Sequence, residues 1–185
     1  MKQASPFPAW RLRASIRVLC ALAALTAVGA ARAEPACDPA QLSFAVDREG
    51  GQFDGMSHSG TLLVVRNLGP NTCTVPARPE VGFLDAAQHP LPVSLQRPAG
   101  MHPGPVLPPV AVPPGAELTS EARWVSSDAF GAGNCVASAF ISLSIRGQPH
   151  FTVPLATQLC GPAHAAPSYS LTLLRRDPVY AAPAR

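Results

Sequence analysis

In Ala116-Glu117-Leu118-Thr119-Ser120-Glu121-Ala122-Arg123-Trp124, the residues Ala116, Leu118, Ala122 and Trp124 fall on one side of a period of two, and Glu117, Thr119, Glu121 and Arg123 on the other. An extended strand with one buried and one wet face makes use of that alternation. The signature recurs outward from this stretch. Downstream, Ala139, Ile141, Leu143 and Ile145 form an inner face, Arg146-Gly147-Gln148-Pro149 turns the chain, and Phe151, Val153 and Leu155 return as the second arm of a hairpin. Tyr169, Leu171 and Leu173 supply a last strand. Upstream, Leu42, Phe44 and Val46 alternate with Ser43, Ala45 and Asp47, while the unbroken run Leu62 to Val65 reads as a central strand covered on both faces. Val81 and Phe83 lead to a turn around Asp85-Ala86-Ala87-Gln88, after which Leu91, Val93 and Leu95 alternate around Pro92 and Ser94. Pro92 has no N–H to give a ladder, so that strand belongs at an edge.

Seven or eight short strands and no helix of usable length predict an all-β fold, an immunoglobulin-like two-sheet antiparallel sandwich. The first 33 residues stand apart from it. Lys2, Arg11, Arg13 and Arg17 precede an apolar run from Val18 to Ala30 that ends at Ala31-Arg32-Ala33, the three parts of a cleavable signal peptide. The run is about 13 residues long, whereas a spanning helix needs roughly 20. The cut is expected after Ala33. Cys20 lies inside the apolar run and Cys37 follows Glu34 and Pro35, so neither has the setting of a lipidation cysteine. No later segment is long and apolar enough to span a bilayer, and the expectation is an exported protein, periplasmic or secreted. The remaining chain of roughly 150 residues suits one core: a single domain over 34–175, followed over 176–185 by a tail too polar and Pro-interrupted to pack, expected to be disordered.

Removal of the leader takes five of the 14 basic residues and none of the 11 acidic ones, which leaves a net charge of about −2. Phosphate binding needs a clustered Lys/Arg surface, and the processed chain has scattered arginines and no lysine; nucleic acid is not an expected partner. The absence of lysine also excludes Schiff-base chemistry, the P-loop lysine and the Ser-x-x-Lys acylation motif.

Four cysteines remain after cleavage, Cys37, Cys73, Cys135 and Cys160, none in a C-x-x-C pair. In an oxidising compartment they read as two structural disulfides. Cys135 precedes the outgoing arm of the hairpin and Cys160 follows the returning one, which puts both at one end. The same parity brings Cys37, before the first strand, near Cys73, after the second. Of three connectivities, Cys37 with Cys73 and Cys135 with Cys160 is favoured.

Chemistry-bearing groups are sparse. Gly55-Met56-Ser57-His58-Ser59-Gly60 lacks the Gly two residues after the serine that a nucleophile elbow requires. Asp47, Glu49 and Asp54 cluster in a polar loop, but their spacing matches no ligand loop. His89, His150 and His164 adjoin turns or prolines and have no partner at ligand spacing. One constellation has a specific rationale: Met56 with His58, and Met101 with His102, two thioether-imidazole pairs in Gly-rich loops of the kind Cu(I) prefers. Prolines at 98, 103, 105, 108, 109, 113 and 114 make residues 98–115 a stiff, extended crossover or docking strip.

At Asn67-Leu68-Gly69-Pro70-Asn71-Thr72-Cys73-Thr74-Val75-Pro76-Ala77-Arg78-Pro79 the chain resembles the exported bacterial family catalogued as domain of unknown function 4232 (DUF4232). That family's pattern is a strand, an Asn, a turn, then Cys-x-Leu-x-Gly-x-Pro; Cys73, Val75 and Pro79 fall on its spacing, and Ala77 stands where the family usually has Gly. The resemblance continues through Val112-Pro113-Pro114-Gly115-Ala116 and the Cys135 to Cys160 hairpin, covering most of residues 37–175. It implies a secreted or surface-displayed β-sandwich with disulfides and brings no known activity. The functional expectation is an exported, non-catalytic binding or structural module with no cofactor, contacting an envelope or extracellular protein or a small ligand. The competing expectation is a periplasmic Cu(I)-binding protein or metallochaperone using Met56, His58, Met101 and His102.

Overall fold

The alternating stretch around Leu118 forms the middle of the largest sheet. In this computed structural model, residues 34–97, 100, 104–127, 129–130, 133–145 and 148–176 are described, with backbone alone at 148–150. They form eleven strands: β1 (Leu42–Asp47), β2 (His58–Asn67), β3 (Cys73–Val75), β4 (Glu80–Leu84), β5 (Ser94–Leu95), β6 (Val110–Val112), β7 (Glu117–Val125), β8 (Asn134–Ile145), β9 (Gln148–Gly161), β10 (Ser168–Leu171) and β11 (Arg175–Arg176). One sheet has the order β1-β2-β7-β10-β5, with β11 also on β7; a second is β4-β8-β9; β3 and β6 form a short ribbon. The protein is an all-β, immunoglobulin-like two-sheet sandwich, and the ribbon adds Val75 and Val112 to one end of its core.

The inner faces meet as the alternation requires. Leu63, Val65, Leu118 and Trp124 from the large sheet oppose Phe83, Ile141, Leu143 and Leu159 from the small one, all buried. Phe83 meets Trp124 and Tyr169 edge-on, with ring centroids 5.6 and 5.3 Å apart. Two polar handles cross between the sheets: Trp124 Nε1 donates to Thr157 Oγ1 at 3.2 Å, and the Tyr169 hydroxyl to the Val81 carbonyl at 2.9 Å. Burial, and secondarily the charge of Glu80, pushes the Tyr169 pKa up to about 12.

Both disulfides join the favoured pairs. Cys135 and Cys160 lie within β8 and β9 as direct cross-strand partners, their Cα atoms 4.0 Å apart; the hairpin arms are longer than the alternation alone marked. Cys37 reaches Cys73 because the backbone of Cys37 donates to the Thr74 carbonyl, laying the segment before β1 along β3.

Several elements differ from the sequence reading. β5 is the expected edge, yet it pairs with β10 in parallel rather than antiparallel, because the chain leaves β4 and crosses to the other sheet. The Leu62 to Val65 run is not doubly covered: Leu63 and Val65 are buried while Leu62 and Val64 are half-buried on the outer face. Leu173 is exposed and Leu174 takes its inward place. Thr172 N still bonds the Glu121 carbonyl, but Arg175 pairs with Thr119, so one extra residue is accommodated and the side-chain parity flips. Arg175–Arg176 therefore continue the sheet as β11 instead of opening the tail. Residues 177–185, the expected leader over 1–33, Met101 and His102 lie outside the described residues.

Candidate functional site

Asn67, at the end of β2, organises one end of the sandwich. It is fully buried. Its side-chain N–H groups donate to the Asn71 and Val112 carbonyls, both at 2.8 Å, and its Oδ1 accepts from Gly69 N at 2.8 Å. Its backbone accepts from Gly115 N and donates to the Ala116 carbonyl. Ala116 N in turn closes on the Pro113 carbonyl, with Gly115 at φ 71°. Pro114 followed by a left-handed Gly115 makes this a type II turn. Asn67 thus ties the turn after β2 to the ribbon through its carboxamide and to the entry of β7 through its backbone.

A cleft lies beside the ribbon. Residues 74–78 on one side and Pro105, Leu107 and Pro109 of the Pro-rich crossover on the other border a cavity of about 490 Å³ that Ile145 also lines. Its lining is mostly aliphatic and prolyl, with Thr74 polar and, among the described residues, Arg78 its one charged member. Ala77 fits this place without glycine: it has no positive φ, it is buried, and its carbonyl accepts from Leu174 N at 2.8 Å. Arg78, Arg175 and Arg176 are exposed, and none has an ion pair among the described residues.

The other marked residues sit elsewhere. Met56 is fully exposed and His58 is exposed, with its Nδ1 3.0 Å from Ser57 Oγ. They occupy the end of the sandwich opposite the cleft, since β2 runs from His58 to Asn67. The structure gives Met56 and His58 a common loop and does not bring Met101 or His102 to them, those two being undescribed. Among the described residues no group of three His, Cys, Asp or Glu is placed to hold a metal ion.

Asp54 belongs to the same loop and is structural. Hydrogen bonds from Ser59 and then Arg48 hold its carboxyl below the usual range. The loop folds over the sheet so that Phe53 packs on Gly60, where a Cβ would meet the Ala122 carbonyl at 2.6 Å, and Arg123 stacks on the Phe53 ring at 4.7 Å. Asp85 accepts from the backbones of His89 and Ala87, which lowers its pKa and fixes the turn after β4. A second depression, about 470 Å³, lies over Gly82, Ser142 and Thr152 on the outer face of the small sheet.

The segment that walls the cleft is the one that carries the quoted motif, with Asn67 as clamp, Cys73 in a disulfide, and Val75 and Ala77 facing the cavity. A family model described as Domain of unknown function (DUF4232) matches residues 37–173. The chain belongs to this family. Within the DUF4232 domain the motif's asparagine and cysteine act as framework, and the residues between and after them form the cleft wall. No curated protein and no solved structure matches the chain. Among the described residues no helix of this DUF4232 domain is long and apolar enough to cross a membrane.

Proposed function

We propose that the chain is exported and serves as a non-catalytic binding module, whose contact surface is the cleft between residues 74–78 and the Pro-rich crossover. The carrying observation is the cleft itself: a concave, mostly apolar space of about 490 Å³ with one charged lining residue, the form ligand sites usually take. Two disulfides and the tripartite leader support export. The groups with shifted pKa values, Asp54, Asp85 and Tyr169, are all engaged in structural hydrogen bonds away from the cleft, which supports binding over acid-base work.

Val106 reports on this surface because it is 98 % exposed beside the cavity-lining Pro105 and Leu107. A photo-crosslinking residue at position 106 in cells that make and export the protein is expected to give a discrete adduct by intact mass. The same residue at Gln158, exposed on β9, should give none. Equal labelling at both positions, or none at 106, sinks the reading.

A further inference from the structure

We infer that the depression on the outer face of the small sheet is a second binding site, which takes an amino sugar with its hydroxyls on Ser142, Ser144 and Thr152 and its ammonium group on Glu80. Its lining shares no residue with that of the cleft. Register builds it. Glu80 is the direct partner of Ser144, and Gly82, Ser142 and Thr152 are partners in a row across β4, β8 and β9. Val81, Phe83, Ile141 and Leu143 between them pack into the core, so the alternation turns this polar set outward. Gly82 leaves the middle of the row open, since a Cβ there would meet Ser142 Oγ at 2.7 Å. Ser142 lines the depression at 7 % exposure. Its hydroxyl gives one long bond, 3.4 Å, to the Gly82 carbonyl and accepts none among the described residues. Gln88, also in the lining, holds a left-handed backbone at φ 62°, an uncommon conformation for such a residue. The turn fixes it there through Gln88 N on the Asp85 carbonyl and Asp85 N on the His89 carbonyl.

The lining chooses the ligand class. β8 is paired on both sides, so its backbone groups are engaged in the ladders, and what this face offers is side chains. A peptide laid across it would find no main chain to pair with. Serine and threonine hydroxyls both donate and accept, which is what the hydroxyls of a sugar require. Among the described residues the lining holds no cation, and its one charge, the exposed Glu80, has no ion pair. Anions are therefore repelled and an ammonium group is attracted. Leu84 and Pro90 add apolar surface for the C–H face of a ring. Glu80 and Leu84 are four residues apart on β4, about 13 Å, which leaves room for more than one ring. The volume of about 470 Å³ falls in the range of small-ligand sites. Exposed charge pairs contribute little on their own, so Glu80 supplies selectivity and the hydroxyl row most of the binding.

The test is an amide-shift NMR titration of the isotope-labelled, disulfide-intact protein with a glucosamine trimer, its fully N-acetylated counterpart, and spermidine, in mildly acidic buffer that keeps the sugar amines charged. Expected are saturable shifts at Gly82, Ser142, Ser144 and Thr152, with the glucosamine trimer about threefold to fivefold tighter than the N-acetylated one. Spermidine, an amine without hydroxyls, should give no saturable shift. Glu80→Gln should make the two sugars bind alike, and Ser142→Ala should weaken both about fivefold while melting stays within a few degrees of wild type. The inference is overturned by no saturable shift from the glucosamine trimer, by shifts only outside this face, by spermidine binding as tightly as the sugar, by wild type binding both sugars alike, or by variants that bind as wild type does. The adduct at position 106 reports on the cleft alone, so either reading can fail while the other stands.

Discussion

The carboxamide of Asn67 donates to the carbonyl of Val112 across 2.8 Å of fully buried space, 45 residues away along the chain. Removing it takes a donor from that buried carbonyl and from the part-buried one on Asn71, and leaves the buried Gly69 N without its acceptor. Each buried group left unpaired costs about 1–3 kcal/mol. Asn67→Ala is expected to lose about 3 kcal/mol in urea unfolding with an unchanged slope. Asn67→Asp should be worse at neutral pH, where a carboxylate would face two carbonyl oxygens.

The two disulfides close loops of 36 and 25 residues. In the chain-entropy model each contributes about 3.5 to 4 kcal/mol, a large share of a net stability of roughly 5–15 kcal/mol. Replacing either pair with alanines should lower the melting temperature by about 10 °C, and replacing both should leave no cooperative transition near 37 °C. Differential scanning calorimetry checks both outcomes.

Tyr169 makes the fold sensitive to alkali. Its phenol ionises at about 12 in the folded chain against a reference of 10.0, so between those values the unfolded state holds fewer protons than the native one. Stability is therefore fully present below pH 10 and falls as pH rises toward 12. Tyr169→Phe should be slightly less stable at neutral pH, through loss of the bond to Val81, and should show a smaller decline over that window by circular dichroism.

The copper expectation is separable from the cleft. A four-ligand site made by Met56, His58, Met101 and His102 requires stoichiometric Cu(I) binding that the double variant Met56→Ala, Met101→Ala loses. The binding-module reading predicts that wild type and variant compete equally poorly with a Cu(I) chelator in an anaerobic titration.

The strands were legible because two-residue alternation is local: Leu118, Ala122 and Trp124 declare their shared face without reference to any other part of the chain. The disulfide pairs were legible from strand parity. Pairing partners further apart were not. Nothing near Ser94 signals a parallel neighbour at Ser168, and nothing near Leu173 announces the extra residue that hands its inward place to Leu174. The cleft was least legible of all. Its walls come from residues 74–78 and from Pro105, Leu107 and Pro109, together with Ile145. The Pro-rich composition marked one wall, and the motif at Cys73 the other, but only the sandwich brings them together.

The edge-on contact of Phe83 with Trp124 has a practical consequence. Trp10 lies in the expected leader, so cleavage after Ala33 would leave Trp124 as the sole indole of the processed chain. It stands 3 % exposed on β7, with its N–H on a residue of the opposite sheet. Separation of the sheets would wet the ring and break that bond at once. Its emission maximum would then move to the red in a single step, which gives this domain an intrinsic optical gauge of whether its two halves are together.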